Sequence, residues 1–254
     1  MAKRVSWTRE QLLIALRLYM RSPFGRLHAR NPEIIDLALK IGRTPSAVAM
    51  KACNFASLDP AFRASQRKGL SGASDADRAI WNEFLADPEK IAAEAEEYCA
   101  RIRPRIPDAD DAAIQIPAGE TDVLRLIRAR RVQSFFRAAV LTSYEERCAI
   151  TGLAVPELLV ASHIIPWSES TTRRADPTNG LCLNALFDRA FDRGLITIDD
   201  NLRVVVSRHL LDACGAADLD CSIRQAHGRR MRLPKRLGPD TSALAYHRDH
   251  RFVD

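Results

Sequence analysis

The stretch from Leu159 to Asp192 constrains this chain more than any other, because one imidazole, one carboxamide and two carboxylates fall there at the ends of short elements. LVASHIIPW (Leu159 to Trp167) is an apolar run that reads as a strand, and Pro166, which has no ladder donor, stops its pairing. His163 therefore falls at a strand end, where a side chain can face a cleft. Ser168 to Thr178 is rich in Ser, Thr, Arg and Asp, with Pro177 near its close, and reads as an irregular loop. Asn179-Gly180 opens a second apolar strand, Leu181 to Leu183. Asn184 to Arg193 then reads as a helix stopped by Gly194, with Leu186, Phe187 and Ala190 turned inward. Asp188 and Asp192 stand one helical turn apart, so both carboxylates leave the same face.

Strand, loop, strand, helix, with His, Asn and paired Asp in that order, resembles the HNH (ββα-metal) endonucleases. The flanks Arg125 to Gly152 (RLIRARRVQSFFRAAVLTSYEERCAITG) and Gly194 to Ser207 (GLITIDDNLRVVVS) resemble the HNH subfamily of bacterial restriction-type nucleases. The resemblance implies a metal-dependent endonuclease that hydrolyses DNA phosphodiester bonds to 5′-phosphate and 3′-hydroxyl ends, with a role in restriction or phage defence. It gives His163 the role of general base and Asn179 that of pinning the loop and orienting the histidine. Two positions depart from the family pattern. Ser162 stands where an acidic residue or a second histidine often precedes the base, and Asp192 stands where the last motif position is often histidine.

The chemistry asks for these residue types. An imidazole with an unperturbed pKa near ~6.5 can take a proton from water at neutral pH. Carboxylates make a hard oxygen site suited to Mg²⁺ or Mn²⁺, so Asp188 and Asp192 are the expected ligands, with the Ser162 hydroxyl contributing directly or through water. The rival reading, from another class, is a noncatalytic DNA-binding protein with a degenerate HNH scaffold. The serine at 162 is its best support.

Charge points the same way, mildly. Across 254 residues, 38 Lys+Arg against 32 Asp+Glu leave a net charge of +6, which favours a polyanionic partner such as double-stranded DNA. The arginines cluster: Arg125, Arg128, Arg130, Arg131 and Arg137 share one predicted helix, and Arg224 to Arg236 hold another group. Arg125, Arg128 and Arg131, with Arg173 and Arg174 in the motif loop, are the expected contacts to the DNA backbone. Six cysteines are scattered without a CxxC pair, so no structural zinc is expected, and Cys148 and Cys182 read as small buried residues. With no secretory leader and no run long enough to span a membrane, the chain reads as cytoplasmic, its thiols reduced.

Upstream, Thr8 and Gln11 stand in capping-box spacing ahead of an amphipathic helix through Met20. Asn31-Pro32 and Thr44-Pro45 each supply an N-cap and a first-turn proline, starting helices through Lys40 and about Asn54, with Gly42 between them. This outline resembles a helix-turn-helix, which would present Arg43, Ser46, Met50, Lys51 and Asn54 to DNA; a packing or dimerisation module is the other reading. Asp75 to Arg101 reads as helix divided by Pro88, and Arg103 to Gly119, with three prolines, reads as a linker.

The expectation is an α+β chain: a helical, helix-turn-helix-like DNA-binding or assembly module over 1–102, a linker over 103–120, and an HNH endonuclease domain over 121–254. Double-strand cutting calls for two active sites or two successive nicks, so a homodimer is one of two arrangements open to it.

Overall fold

A computed structural model describes residues 6–64, 72–102, 120–213 and 221–254. The chain is α+β and divides into two compact units, Met1–Ala138 and Ala139–Asp254. Of the expected linker over 103–120, residues 103–119 lie outside the described residues.

The first unit is helical: α1 (Arg9–Arg21), α2 (Pro32–Lys40), α3 (Pro45–Ala56), α4 (Pro60–Ala64), α5 (Asp75–Ala86) and α6 (Pro88–Ile102), with the start of α7 (Glu120–Ser143). The start signals act as the sequence indicates. Thr8 and Gln11 close a reciprocal capping box on α1, and Asn31 and Thr44 cap α2 and α3 ahead of their prolines. Gly42, at φ +65°, makes the turn between α2 and α3.

Leu13, Leu16, Tyr19 and Met20 of α1 are buried with Val48 and Phe55 of α3, Trp81 and Phe84 of α5, and Ile91 of α6. Several charged and polar groups inside this core are paired. The Tyr19 hydroxyl donates to Asp59 at 2.7 Å, and Arg17 meets Glu96 at 2.8 Å. The Lys51 ammonium reaches both oxygens of Asp77, at 2.9 and 3.1 Å.

That last pair corrects the expected recognition face of α3. Lys51 is only 9% exposed, and Asn54 donates to the same Asp77 carboxylate. Arg43 is bound to Gln11 and lies over the Trp7 ring at 4.8 Å. Of the row expected to meet DNA, Ser46 and Met50 are the exposed members, so the polar residues chosen from helical spacing hold the bundle together instead.

The second unit is built on two antiparallel pairs. β1 (Leu159–His163) runs against β2 (Gly180–Asn184), with Leu159 opposite Asn184 and His163 opposite Gly180. Helix α8 (Ala185–Asp192) follows at once, Asn184 accepting from the Phe187 N–H at 3.0 Å as its N-cap. The hairpin β3 (Ile196–Ile198) and β4 (Val204–Val206) turns on Asp199, whose carboxylate accepts from the N–H groups of Asn201 and Arg203.

Helices α9 (Arg208–Ala213), α10 (Cys221–Ala226) and α11 (Thr241–His250) complete the unit. The apolar face of α8 is Phe187, Ala190 and Phe191, and Leu186, expected inside, is 52% exposed. Leu186 precedes Phe187 by about 100° around the helix axis and so falls outside the buried face.

Three features lock α8 to the end of the unit. Its C-terminus is a Schellman motif, the Leu195 N–H bonding the Ala190 carbonyl and the Gly194 N–H that of Phe191, with Gly194 at φ +70°. The chain from Arg251 to Val253 crosses directly over that glycine, the Val253 N–H donating to the Gly194 carbonyl at 2.9 Å. His247 of α11 stacks on Phe191 with ring centroids 3.7 Å apart, donates from Nε2 to the Phe191 carbonyl and accepts at Nδ1 from the Thr197 hydroxyl. No described helix is long and apolar enough to cross a membrane.

Gly194→Ala should destabilise the chain strongly. A Cβ there would lie 1.9 Å from the Arg251 carbonyl oxygen on a left-handed backbone, and a backbone neighbour cannot step aside as a flexible side chain can. A loss of roughly 3 kcal/mol or more is expected in denaturant unfolding.

His247 makes stability pH-dependent. Burial pushes its pKa down to about 4, with Arg251 and Arg248 adding to the effect and the Phe191 carbonyl opposing it. The unfolded chain therefore takes up a proton near pH 6.5 that the folded chain refuses until about 4. The stabilisation is complete above 6.5 and is lost as pH falls between those values, by at most about 3 kcal/mol. His247→Gln should flatten the melting temperature profile across that window.

Candidate active site

His163 closes β1 opposite Gly180, and its half-buried ring stands edge-on to Trp167 at 5.7 Å between centroids. Its Nε2 lies 3.0 Å from the carbonyl oxygen of Arg174. A carbonyl only accepts, so Nε2 carries the proton and, in the neutral ring, Nδ1 is the basic nitrogen. Burial pulls the His163 pKa below its ordinary value, while the Arg174 carbonyl and the charge of Asp192 push the other way. Asp192 of α8 thus acts electrostatically on the imidazole of β1, which brings two of the sequence-predicted site residues into one neighbourhood.

The carbonyl that fixes His163 belongs to an irregular loop, and Asn179 holds that loop. Its side chain is 1% exposed, accepts from the Ile165 N–H at 2.9 Å, and donates to the carbonyls of Ile165 at 3.0 Å and Arg173 at 3.4 Å. The Asn179 backbone carbonyl also receives the Ile164 N–H at 2.9 Å. One carboxamide therefore joins the residues after His163 to the residue before Arg174, and a short polar side chain with both donors and an acceptor is what that crossing requires.

Asp188 and Asp192 leave α8 on one side. Burial raises the Asp188 carboxyl above its ordinary range, the Asp192 charge raises it further, and the Ser162 hydroxyl and Arg189 oppose. The hydroxyl of Ser162, whose residue is 2% exposed, reaches no protein hydrogen-bond partner of proper geometry among the described residues, although it lies near enough to Asp188 to ease its ionisation. Two carboxylates that repel each other beside a buried unsatisfied hydroxyl form a hard-oxygen donor set suited to a small divalent cation that keeps part of its water. Among the described residues no cluster of three or more His, Cys, Asp or Glu side chains is arranged to hold a metal, so protein ligation would stop at this small set.

The arginines expected at the interface take different places. Arg125 and Arg128 are exposed and Arg131 is half-buried on α7, in the first unit. Arg174 donates from Nε to the Trp167 carbonyl at 3.0 Å and stacks over the Trp167 ring at 4.9 Å. Arg173 is paired with Asp240 at 2.6 Å.

Some of the site had no readable signal in the motif. The Arg174 acceptor is a backbone atom, Trp167 sat in a run scored only as strand, and Asp240 is announced only as the N-cap of a distant helix. Cys148 and Cys182 are fully buried as expected. The Cys148 sulfur accepts the N–H groups of Thr151 at 3.4 Å and Asn184 at 3.3 Å, which ties the turn before β1 to the start of α8.

Residues 148–199 match the model of a family described as HNH endonuclease. No curated protein matches the chain. The match spans the β1–loop–β2–α8 unit with His163, Asn179, Asp188 and Asp192, and it bears out the resemblance at the level of the family.

Asn179→Ala should cost about 2–4 kcal/mol in urea unfolding, because it deletes three loop bonds and leaves buried backbone groups unpaired.

Proposed function

We propose, taking residues 148–199 as an HNH endonuclease segment, that the protein is a metal-dependent endonuclease acting on double-stranded DNA. The observation that carries the reading is the His163 ring, whose proton is held on Nε2 by the Arg174 carbonyl while its opposite nitrogen is basic, and which feels the charge of Asp192. In this reading Nδ1 of His163 takes the proton from the attacking water, and Asn179 keeps the imidazole aligned through the loop. Asp188 and Asp192 would hold Mg²⁺ or Mn²⁺, with Ser162 as a further oxygen donor. When bound, the ion supplies positive charge against the scissile phosphate and the departing 3′ oxygen.

Arg125, Arg128 and Arg131 are proposed to meet the phosphate backbone, where contacts position the duplex without reading its sequence. Lys51 and Arg173 are not among these contacts, since each is spent on an internal carboxylate. A role in restriction or phage defence follows the subfamily resemblance and is proposed on that ground alone.

Plasmid nicking tests the reading. Wild-type protein should nick supercoiled DNA in Mg²⁺ or Mn²⁺ and stop when a chelator is added, and His163→Ala and Asp188→Asn should each slow it by about 10²-fold or more. Cleavage that survives His163→Ala would remove the mechanism, and RNA offered side by side identifies the preferred polymer.

A further inference from the structure

Asn179 restrains the loop from within the motif, but a second restraint comes from a residue some sixty positions later in the chain. Asp240 touches the loop on both sides of Arg174. Its Oδ2 accepts from Nη2 of Arg173 at 2.6 Å, and its backbone N–H donates to the carbonyl of Thr178 at 2.8 Å. Its other carboxylate oxygen caps α11, accepting from the N–H and the hydroxyl of Ser242, both at 2.8 Å. Arg173 is therefore held at both ends, by Asp240 at its guanidinium and by Asn179 at its carbonyl. The next carbonyl along the chain is the one that meets Nε2 of His163.

The guanidinium of Arg173 is mostly covered, and its Nη1 is buried with no hydrogen-bond partner among the described residues. A side chain so placed serves the loop and has little left for a phosphate. Only the φ and ψ of Arg174 separate the held Arg173 peptide plane from the plane that carries the Arg174 carbonyl, so a shift at Arg173 displaces the chain that presents that carbonyl. We infer that Asp240, outside the matched motif, is a positioning residue for the His163 base: through Arg173 it aims the Arg174 carbonyl at Nε2 and so keeps Nδ1 as the proton acceptor. The inference rests on the endonuclease reading for its effect on rate, and on geometry alone for its effect on the imidazole.

Asp240→Asn separates this role from helix capping. The asparagine oxygen keeps the cap on Ser242 and the backbone N–H keeps Thr178, while its amide nitrogen faces the Arg173 donor and the link is lost. In the full chain, single-turnover nicking by Asp240→Asn should be slower by about 10- to 100-fold with an unchanged KM for plasmid, since a misaimed base lowers the rate of the chemical step without touching binding. Arg173→Ala should do the same, and the double variant should be no slower than either single one. Nitrogen-15 shifts of the His163 ring, measured without substrate, should show the Nε2–H tautomer in the wild type and a mixture in both single variants.

A folded Asp240→Asn or Arg173→Ala protein with the wild-type rate, or with the wild-type tautomer, overturns the inference. If His163→Ala abolishes nicking while these variants match the wild type, the inference alone fails. If the wild type cuts no substrate, the endonuclease reading fails, and the tautomer measurement still decides the role of Asp240.

Discussion

One hydrogen bond, from Nε2 of His163 to the carbonyl of Arg174, is the constraint on which the rest of the second unit depends. A histidine in a cleft has two nitrogens and no intrinsic reason to prefer either as the base. A fixed acceptor on one of them settles the choice, and a fixed acceptor in a loop requires that the loop be held. The surrounding structure supplies the holding: Asn179 across the loop from inside, Asp240 from outside, and Arg174 itself pinned by Trp167.

The carboxylates meet a different requirement. In the proposed reading Asp188 and Asp192 serve the site from α8, and α8 is positioned at both ends by interactions other than its own apolar face. At its start, Asn184 both caps the helix and, through its backbone N–H, engages the Cys148 sulfur. At its finish, the Gly194 turn lies under the crossing Arg251–Val253 segment, and His247 stacks on Phe191. Burial of Asp188 and the charge of Asp192 together make ionisation of the Asp188 carboxyl harder.

Much of this was legible in the sequence, for physical reasons that differ by element. Helix starts read well because a cap is a local event: Thr8, Asn31 and Thr44 each bond an N–H two or three residues away. The motif segment read well at the level of the family because its order is fixed by the strand-loop-strand-helix path.

Long-range pairing read poorly. Lys51 and Asn54 looked like a helix surface, yet they meet Asp77 of another helix, and no periodicity could say so. Leu186 was expected inside with Phe187 and Ala190 but lies about 100° round the helix from Phe187, outside the face that Phe187, Ala190 and Phe191 bury. The partners of the motif loop, Arg174 by its backbone and Asp240 by its distance, leave almost no trace in a local pattern.

The crossing of residues 251–253 over Gly194 sets an order in time. During synthesis the strands and α8 leave the ribosome well before α11, so the outer support for the loop and for the C-terminal end of α8 arrives after them. A chain still being translated can form its local turns and caps, but Arg173 lacks its counter-ion until Asp240 has emerged and the glycine turn stays uncovered until Val253 has. Assembly of the site is in this way deferred to release of the unit's final segment, so nascent chains would carry the motif without its finished geometry.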